Sequence, residues 1–253
     1  MIKLNNLKPV NYYTKRQGLE KEDKMQCKNV KLFIVTLFCI GLTGLQAQTV
    51  KDIDGNKYNI IKIGTQVWMK ENLKTTRYCN GDSIGTTNPP TLDIISESAP
   101  KYQWACDGNK SNVETYGRLY TWYATTDSRN ICPKGWHVPT DAEWTTLTDY
   151  LINNGYGFGG SGTNVAKSMA ATSGWTTNSL ASNTGNDQMS NNSSGFTAFA
   201  VGYRYGSGSF NGFGSQGYWW SATELYSTTA ITFHVFEKSS GVLSNLNKNN
   251  KFD

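Results

Sequence analysis

The sequence predicts an α+β domain behind an N-terminal leader. Three observations predict it. Apolar runs of β type stand at both ends of the chain past residue 48, and the segments with helical spacing lie between them. All eight Trp residues also lie past residue 48, among segments rich in Gly, Asn, Ser and Thr. Strands, then helices, then strands is the segregated order of an α+β architecture. An aromatic-rich chain is able to bury a core, as a disordered polar chain is not. The expected domain has two or three helices, short antiparallel strands and long polar loops.

Charge divides the chain in the same place. Up to Ala47 there are eight Lys/Arg against three Asp/Glu, and the remainder holds sixteen of each, so the net charge of +5 belongs entirely to the leader. A nucleic-acid partner is therefore not expected, because phosphate neutralisation needs its positive charge on the folded part. Lys28 and Lys31 precede the apolar run Leu32–Leu45, and Leu45-Gln46-Ala47 offers a small-residue cleavage site. This is the form of a signal peptide over residues 25–47. The run is shorter than a membrane span. Residues 1–24 are polar and Met25 is a natural start, so they read as a mis-called extension. Leu37 and Phe38 before Cys39 do not suit lipid anchoring. The reading is an exported protein of periplasm, cell surface or medium, with no transmembrane span in its mature part, residues 48–253.

In chain order, "TVKDIDGNKYNIIKIGTQVWMKENL" reads as a strand meander with turns at Asp54-Gly55 and Gly64-Thr65. "DIDGN" is not a calcium loop, since Lys57 holds the glycine position and Ile63 the glutamate position. Residues 75–100 are polar and broken by Asn88-Pro89-Pro90. Tyr116, Leu119, Tyr120 and Tyr123 follow a helical spacing across 114–126.

"CPKGWHVPTDAEW" brings His137 close to acidic residues, yet it has the form of architecture. Thr140 and Glu143 make a capping box, with Trp144, Leu147 and Leu151 on one face and Asn153-Asn154-Gly155 as the stop. No spacing gathers the ligands a zinc ion needs, and no metal or cofactor is expected. A Gly-rich loop without Gly-Lys-Ser/Thr precedes a short helix at 164–171. Residues 174–195 read as a surface loop. Short strands follow in "GFTAFAVGYRYGSG", "GYWWSATEL" and "AITFHVFEKSSGVLSNL". Of the cysteines past the leader, Cys79 and Cys106 are the candidate disulfide and Cys132 is left unpaired, an odd count for an oxidising compartment.

The blocks "DIDGNKYNIIKIGTQVWMKENL", "YGRLYTWYA", "CPKGWHVPTDAEWTTL", "GFTAFAVGYRYGSGSF" and "GYWWSATE", in this order over residues 50–248, resemble the Fibrobacter succinogenes major paralogous (FISUMP) domain of exported proteins in Bacteroidota and Fibrobacter. The resemblance implies a C-type lectin-like fold and carries no established reaction or catalytic residues. It also implies a closing strand of the type "GFSVRC" after an Asn-rich turn. Here the chain reads "LNKNNKFD", so that strand is expected to be lacking, and with it a cysteine partner for Cys132. Where the family usually has Gly-Gly before its Tyr-Arg, Ala200-Val201-Gly202 precede Tyr203-Arg204 here.

The function expected is a non-catalytic recognition or adhesion module for polysaccharide or protein at the cell envelope. Tyr203, Arg204, Tyr205, Trp219 and Trp220 are the candidate contacts, because aromatic faces and Arg donors suit sugar rings. On a strand, adjacent Trp219 and Trp220 point to opposite faces, so one belongs to the core. The Glu-Pro-Asn and Trp-Asn-Asp motifs of calcium-dependent lectins are absent. A structural envelope protein or a ligand-free paralogue is the alternative. An enzyme related to formylglycine-generating enzymes is disfavoured, since no matching cysteine pair and no catalytic motif appear.

Overall fold

The structure, a computed structural model, describes residues 3–4 and 48–250, with side chains from 48 to 242. The expected signal peptide and most of the expected extension lie outside the described residues. The strands are β1 (Lys3–Leu4), β2 (Thr49–Lys51), β3 (Lys57–Ile63), β4 (Gln66–Met69), β5 (Gln103–Ala105), β6 (Arg118–Tyr120), β7 (Trp136–His137), β8 (Val201–Arg204), β9 (Phe210–Phe213), β10 (Gln216–Tyr226), β11 (Thr229–Phe236) and β12 (Leu243–Asn250). Four helices intervene: α1 (Val113–Tyr116), α2 (Trp122–Thr125), α3 (Asp141–Asn153) and α4 (Ala166–Met169). No described helix is long and apolar enough to cross a membrane.

Two five-stranded sheets and one two-stranded sheet make the α+β architecture. The first runs β2-β3-β4-β1-β7, the second β12-β11-β10-β8-β9, and β5 pairs with β6. The meander folds where the turn signals put it, with Gly55 and Gly64 at positive φ. In the second sheet β8 lies parallel to β10 at Gly202 and Gly217, while the other pairs are antiparallel. The Asn-rich stretch expected to lead into a closing strand is itself a strand, because β12 pairs along β11 from Leu243–His234 to Asn250–Thr229.

The helical reading of residues 114–126 is corrected. Two single turns, α1 and α2, flank β6, whose Leu119 pairs with Trp104 on β5. Gly117 causes the break. Its φ is 75°, and a Cβ there would meet Cβ of Asn72 at 2.6 Å, so a helix cannot run through it. Long-range sheet pairing then overrides the local period.

The main core fills the space between α3 and the two sheets. Trp144, Leu147 and Leu151 of α3 meet Ile63 and Trp68 from the first sheet and Trp219, Phe233 and Val235 from the second. Trp144 stacks on Phe233, with centroids 4.3 Å apart and planes 6° from parallel, and Trp68 lies 4.9 Å from Trp144. A second cluster joins Tyr58, Met69, Tyr78, Tyr120, Ile131, Cys132 and Trp136. The segment 174–195 is more than a surface loop. Trp175, Asn183, Thr184 and Asn191 are buried in it, and Lys167 of α4 donates to the carbonyls of Asn183, Asn186 and Asp187.

Candidate functional site

The helix expected after "CPKGWHVP" forms as α3, and its start is the capping box of Thr140 and Glu143. The Glu143 carboxylate accepts from the Thr140 amide at 3.0 Å and also holds His137 Nε2 at 2.9 Å. His137 is thereby tied to the start of α3. Among the described residues no group of three or more His, Cys, Asp or Glu is arranged to hold a metal.

The aromatic candidates meet elsewhere. A cavity of about 200 Å³ opens where β8 and β10 face β6, and all five residues, Tyr203, Arg204, Tyr205, Trp219 and Trp220, line it. They play different parts there. Burial alternates along β10, so Trp219 turns into the main core and Trp220 is half-buried on the other face. Trp219 Nε1 donates to Asn72 Oδ1 at 2.9 Å, and Trp220 Nε1 to the Tyr120 carbonyl at 2.8 Å. Both indole N–H groups hold architecture, and the ring surfaces remain.

Arg204 is a clamp. Its residue is only 1 % exposed. Nε donates to the Pro90 carbonyl at 3.0 Å, Nη1 to that of Tyr205 at 2.9 Å, and Nη2 to that of Leu92 at 2.5 Å. The guanidinium also lies 4.0 Å above the Trp104 ring. Arg118, the other cation on the wall, donates to the Lys74 carbonyl and to Gln103 Oε1.

What the cavity presents is a run of rings. Tyr203 packs edge-to-face on Tyr205 at 4.9 Å and on Tyr218 at 5.0 Å. Tyr218, which sequence reasoning missed, occupies the same strand face as Trp220, two positions away, and that period of two was the available signal. Its hydroxyl donates to Gln216 Oε1 at 2.8 Å, and burial with nearby Tyr205 pushes its pKa up to about 12. The phenol therefore stays neutral. Tyr205 is the most open member at 43 % exposure. Among the described lining residues there is no carboxylate, Lys, His or Cys. The arrangement offers flat aromatic faces and hydroxyls.

A family model described as the Fibrobacter succinogenes major domain matches residues 61–252. The chain belongs to that family. The match to the Fibrobacter succinogenes major domain starts in β3 and runs past β12, so it takes in α3, the main core and the cavity. Comparisons with curated proteins and with solved structures returned no match.

The cysteines of this family member are not arranged as expected. Cys79, Cys106 and Cys132 are all free, so the Cys79–Cys106 disulfide is not formed. Cys106 sits in the short turn after β5, with its thiol on the Val201 carbonyl at 3.2 Å, and burial pushes its pKa up to about 12. Cys79 lies against Cys132, its Sγ on the Cys132 carbonyl.

His234 backs the aromatic run, its ring 4.3 Å from that of Tyr218, near Phe236 and bonded to the Thr232 hydroxyl. Burial lowers its pKa to about 4. The unfolded chain, with histidine near 6.5, then binds more protons between those values, so stability is fully present above pH 6.5 and is lost as pH falls toward 4. Going from pH 7.5 to 5 is expected to remove about 2 kcal/mol through this residue. Thermal melts of the wild type and of His234→Asn check it. Equal slopes in the two proteins over that range would remove His234 as the cause.

Proposed function

We propose that this domain is an exported, non-catalytic recognition module that binds neutral polysaccharide at the cell envelope through the aromatic cavity. One observation carries the reading: Tyr203, Tyr205, Tyr218 and Trp220 bring four rings to one wall, with no described carboxylate beside them. Aromatic faces suit the apolar faces of sugar rings, and hydroxyls suit their rims. The two arginines are committed to internal acceptors, which favours an uncharged ligand over an acidic one. Long loops carried on packed sheets agree with this role, since loops on a rigid scaffold commonly carry binding. A structural envelope role without ligand is the second reading, favoured by the internal bonds that Arg204, Trp219 and Trp220 already make.

The test is a thermal melt and a tryptophan-fluorescence titration of the domain with a panel of neutral and acidic plant and bacterial polysaccharides. A neutral glycan is expected to raise the melting temperature, because a ligand that prefers the native state stabilises it. Tyr205→Ala is expected to weaken that binding about tenfold, the equivalent of one lost ring contact of about 1.4 kcal/mol, while leaving the melt of the free protein nearly unchanged. If no glycan shifts the melt, the structural reading takes over. If an acidic glycan binds best, the argument from the committed arginines fails.

A further inference from the structure

Two segments far apart in sequence meet on the outer side of the second core cluster. The Cys79 amide donates to the Asn130 carbonyl at 2.8 Å. One residue before Cys79, the ring of Tyr78 lies under the Arg129 guanidinium at 4.0 Å, and three residues after it Asp82 accepts from Arg129 at 3.1 Å. Arg129 is itself braced by both oxygens of Asp127. These contacts fix the stretch 78–82 against the stretch 127–132. In that frame the Cys79 thiol rests on Cys132, with Sγ 2.6 Å from the Cys132 carbonyl oxygen. The Cys79 thiol also acts electrostatically on that of Cys132, so the two side chains are neighbours as well. A disulfide needs Cα atoms within about 7 Å and Cβ atoms about 3.5–4.5 Å apart and turned toward each other, a separation that side chains already in contact can reach. The Cys106 thiol, in contrast, rests on the Val201 carbonyl.

We propose that Cys79 and Cys132 form a disulfide under oxidising conditions, closing the loop that carries one wall of the cavity. Trp104, Arg118, Leu119, Tyr120, Thr125 and Ile131 all lie between the two cysteines, and all line the cavity. The bond would tie the two ends of that wall together, whatever the cavity binds, so the inference does not depend on the ligand.

The order of steps follows from exposure. Cys79 is exposed and Cys132 is buried. The oxidant is a disulfide, small or protein-borne. The Cys79 thiolate attacks one of its sulfurs, forming a mixed disulfide and releasing one thiolate. The Cys132 thiolate then attacks the Cys79 sulfur and releases the second. Two protein thiols are oxidised, one disulfide is reduced to two thiols, and the two protons pass to the released thiolates. Burial and neighbouring Asp52 raise the Cys79 pKa, and burial raises that of Cys132, so both steps are slow without a catalyst.

The test uses the full chain, incubated with oxidised glutathione, alkylated in denaturant and cut with trypsin. Cleavage after Arg77, Lys101, Arg129 and Lys134 places Cys79 and Cys132 on separate peptides, with Cys106 on a third, Tyr102–Lys110. The expected product joins Tyr78–Lys101 to Asn130–Lys134, lighter by two hydrogens than the reduced pair, with Cys106 alkylated. The oxidised protein should melt about 10 °C above the reduced one, as expected for closing a loop of this length in a domain of this size. Cys79→Ser, at an exposed position, should fold and lose that difference, which separates this bond from any other. Cys79 held as a glutathione adduct with Cys132 alkylated overturns the proposal. So does a bond from either cysteine to Cys27, Cys39 or Cys106.

Discussion

Arg204→Ala is expected to cost about 4 kcal/mol and to lower the melting temperature by about 10 °C. The reason is geometric. The guanidinium satisfies the carbonyls of Pro90 and Leu92 on one segment and that of Tyr205 on its own strand. Removing it takes the charged donor from all three oxygens, leaving Pro90 with Thr87 and Tyr205 with the Gly208 amide while Leu92 loses its donor, and a hydrogen bond to a charged group contributes about 1.5–3 kcal/mol. The loss also opens a closed ring of contacts. Trp104 lies under the guanidinium, its Nε1 donates to Thr87 Oγ1 at 2.8 Å, and Thr87 donates to the same Pro90 carbonyl at 3.2 Å. Arg204→Lys should recover little of the loss, since an ammonium cannot serve three carbonyls in a plane and stack on an indole at once. Hydrogen exchange should quicken first in residues 87–98. A variant that melts within 2 °C of wild type (about 0.5–1 kcal/mol), with that segment still protected, would show that the loop docks without the clamp.

Local signals were legible in the sequence and distant ones were not. Thr140, Glu143, Trp144, Leu147 and Leu151 announce α3 because a cap and a helical stripe are properties of adjacent turns. The opposite facing of Trp219 and Trp220 is legible for the same reason, as it follows from the strand period alone. The gathering of Tyr203, Arg204, Tyr205, Trp219 and Trp220 on one cavity was within reach, because β8 and β10 are neighbours in the sheet. The role of Arg204 was not legible. Its partners Pro90 and Leu92 are 114 and 112 residues away, and they are backbone carbonyls, which leave no mark in composition. The break at Gly117 depends on how closely Asn72 approaches it, again a fact of tertiary packing. Lys167 gave no signal either. A lysine reads as solvated surface, yet here burial lowers its pKa while carbonyls of a polar loop surround its ammonium. The cysteine arithmetic failed on the same ground, since the partner that Cys79 meets is 53 residues away.

Gly208→Ala is expected to act on the same junction from the other side, at a cost of about 3–5 kcal/mol. Gly208 closes the turn between β8 and β9, its amide on the Tyr205 carbonyl at 2.8 Å. Its φ of +102° is outside what a side-chain-bearing residue tolerates without strain. A Cβ there would also stand 1.9 Å from the Thr91 carbonyl oxygen, between the two residues that Arg204 holds. Backbone cannot swing aside as a flexible side chain can, so the 87–98 segment must lift from the turn. Lifting it would break the Ile94 amide's bond to the Gly206 carbonyl at 2.8 Å and pull Leu92 from Nη2 of Arg204. The two substitutions therefore damage one interface. Once Gly208→Ala has displaced the segment, Arg204→Ala has fewer contacts left to remove, and the double variant should lose clearly less than the sum of the singles. Additive losses within about 0.5 kcal/mol would mean that the turn and the clamp hold independent structure, and that the segment is not a single docked unit.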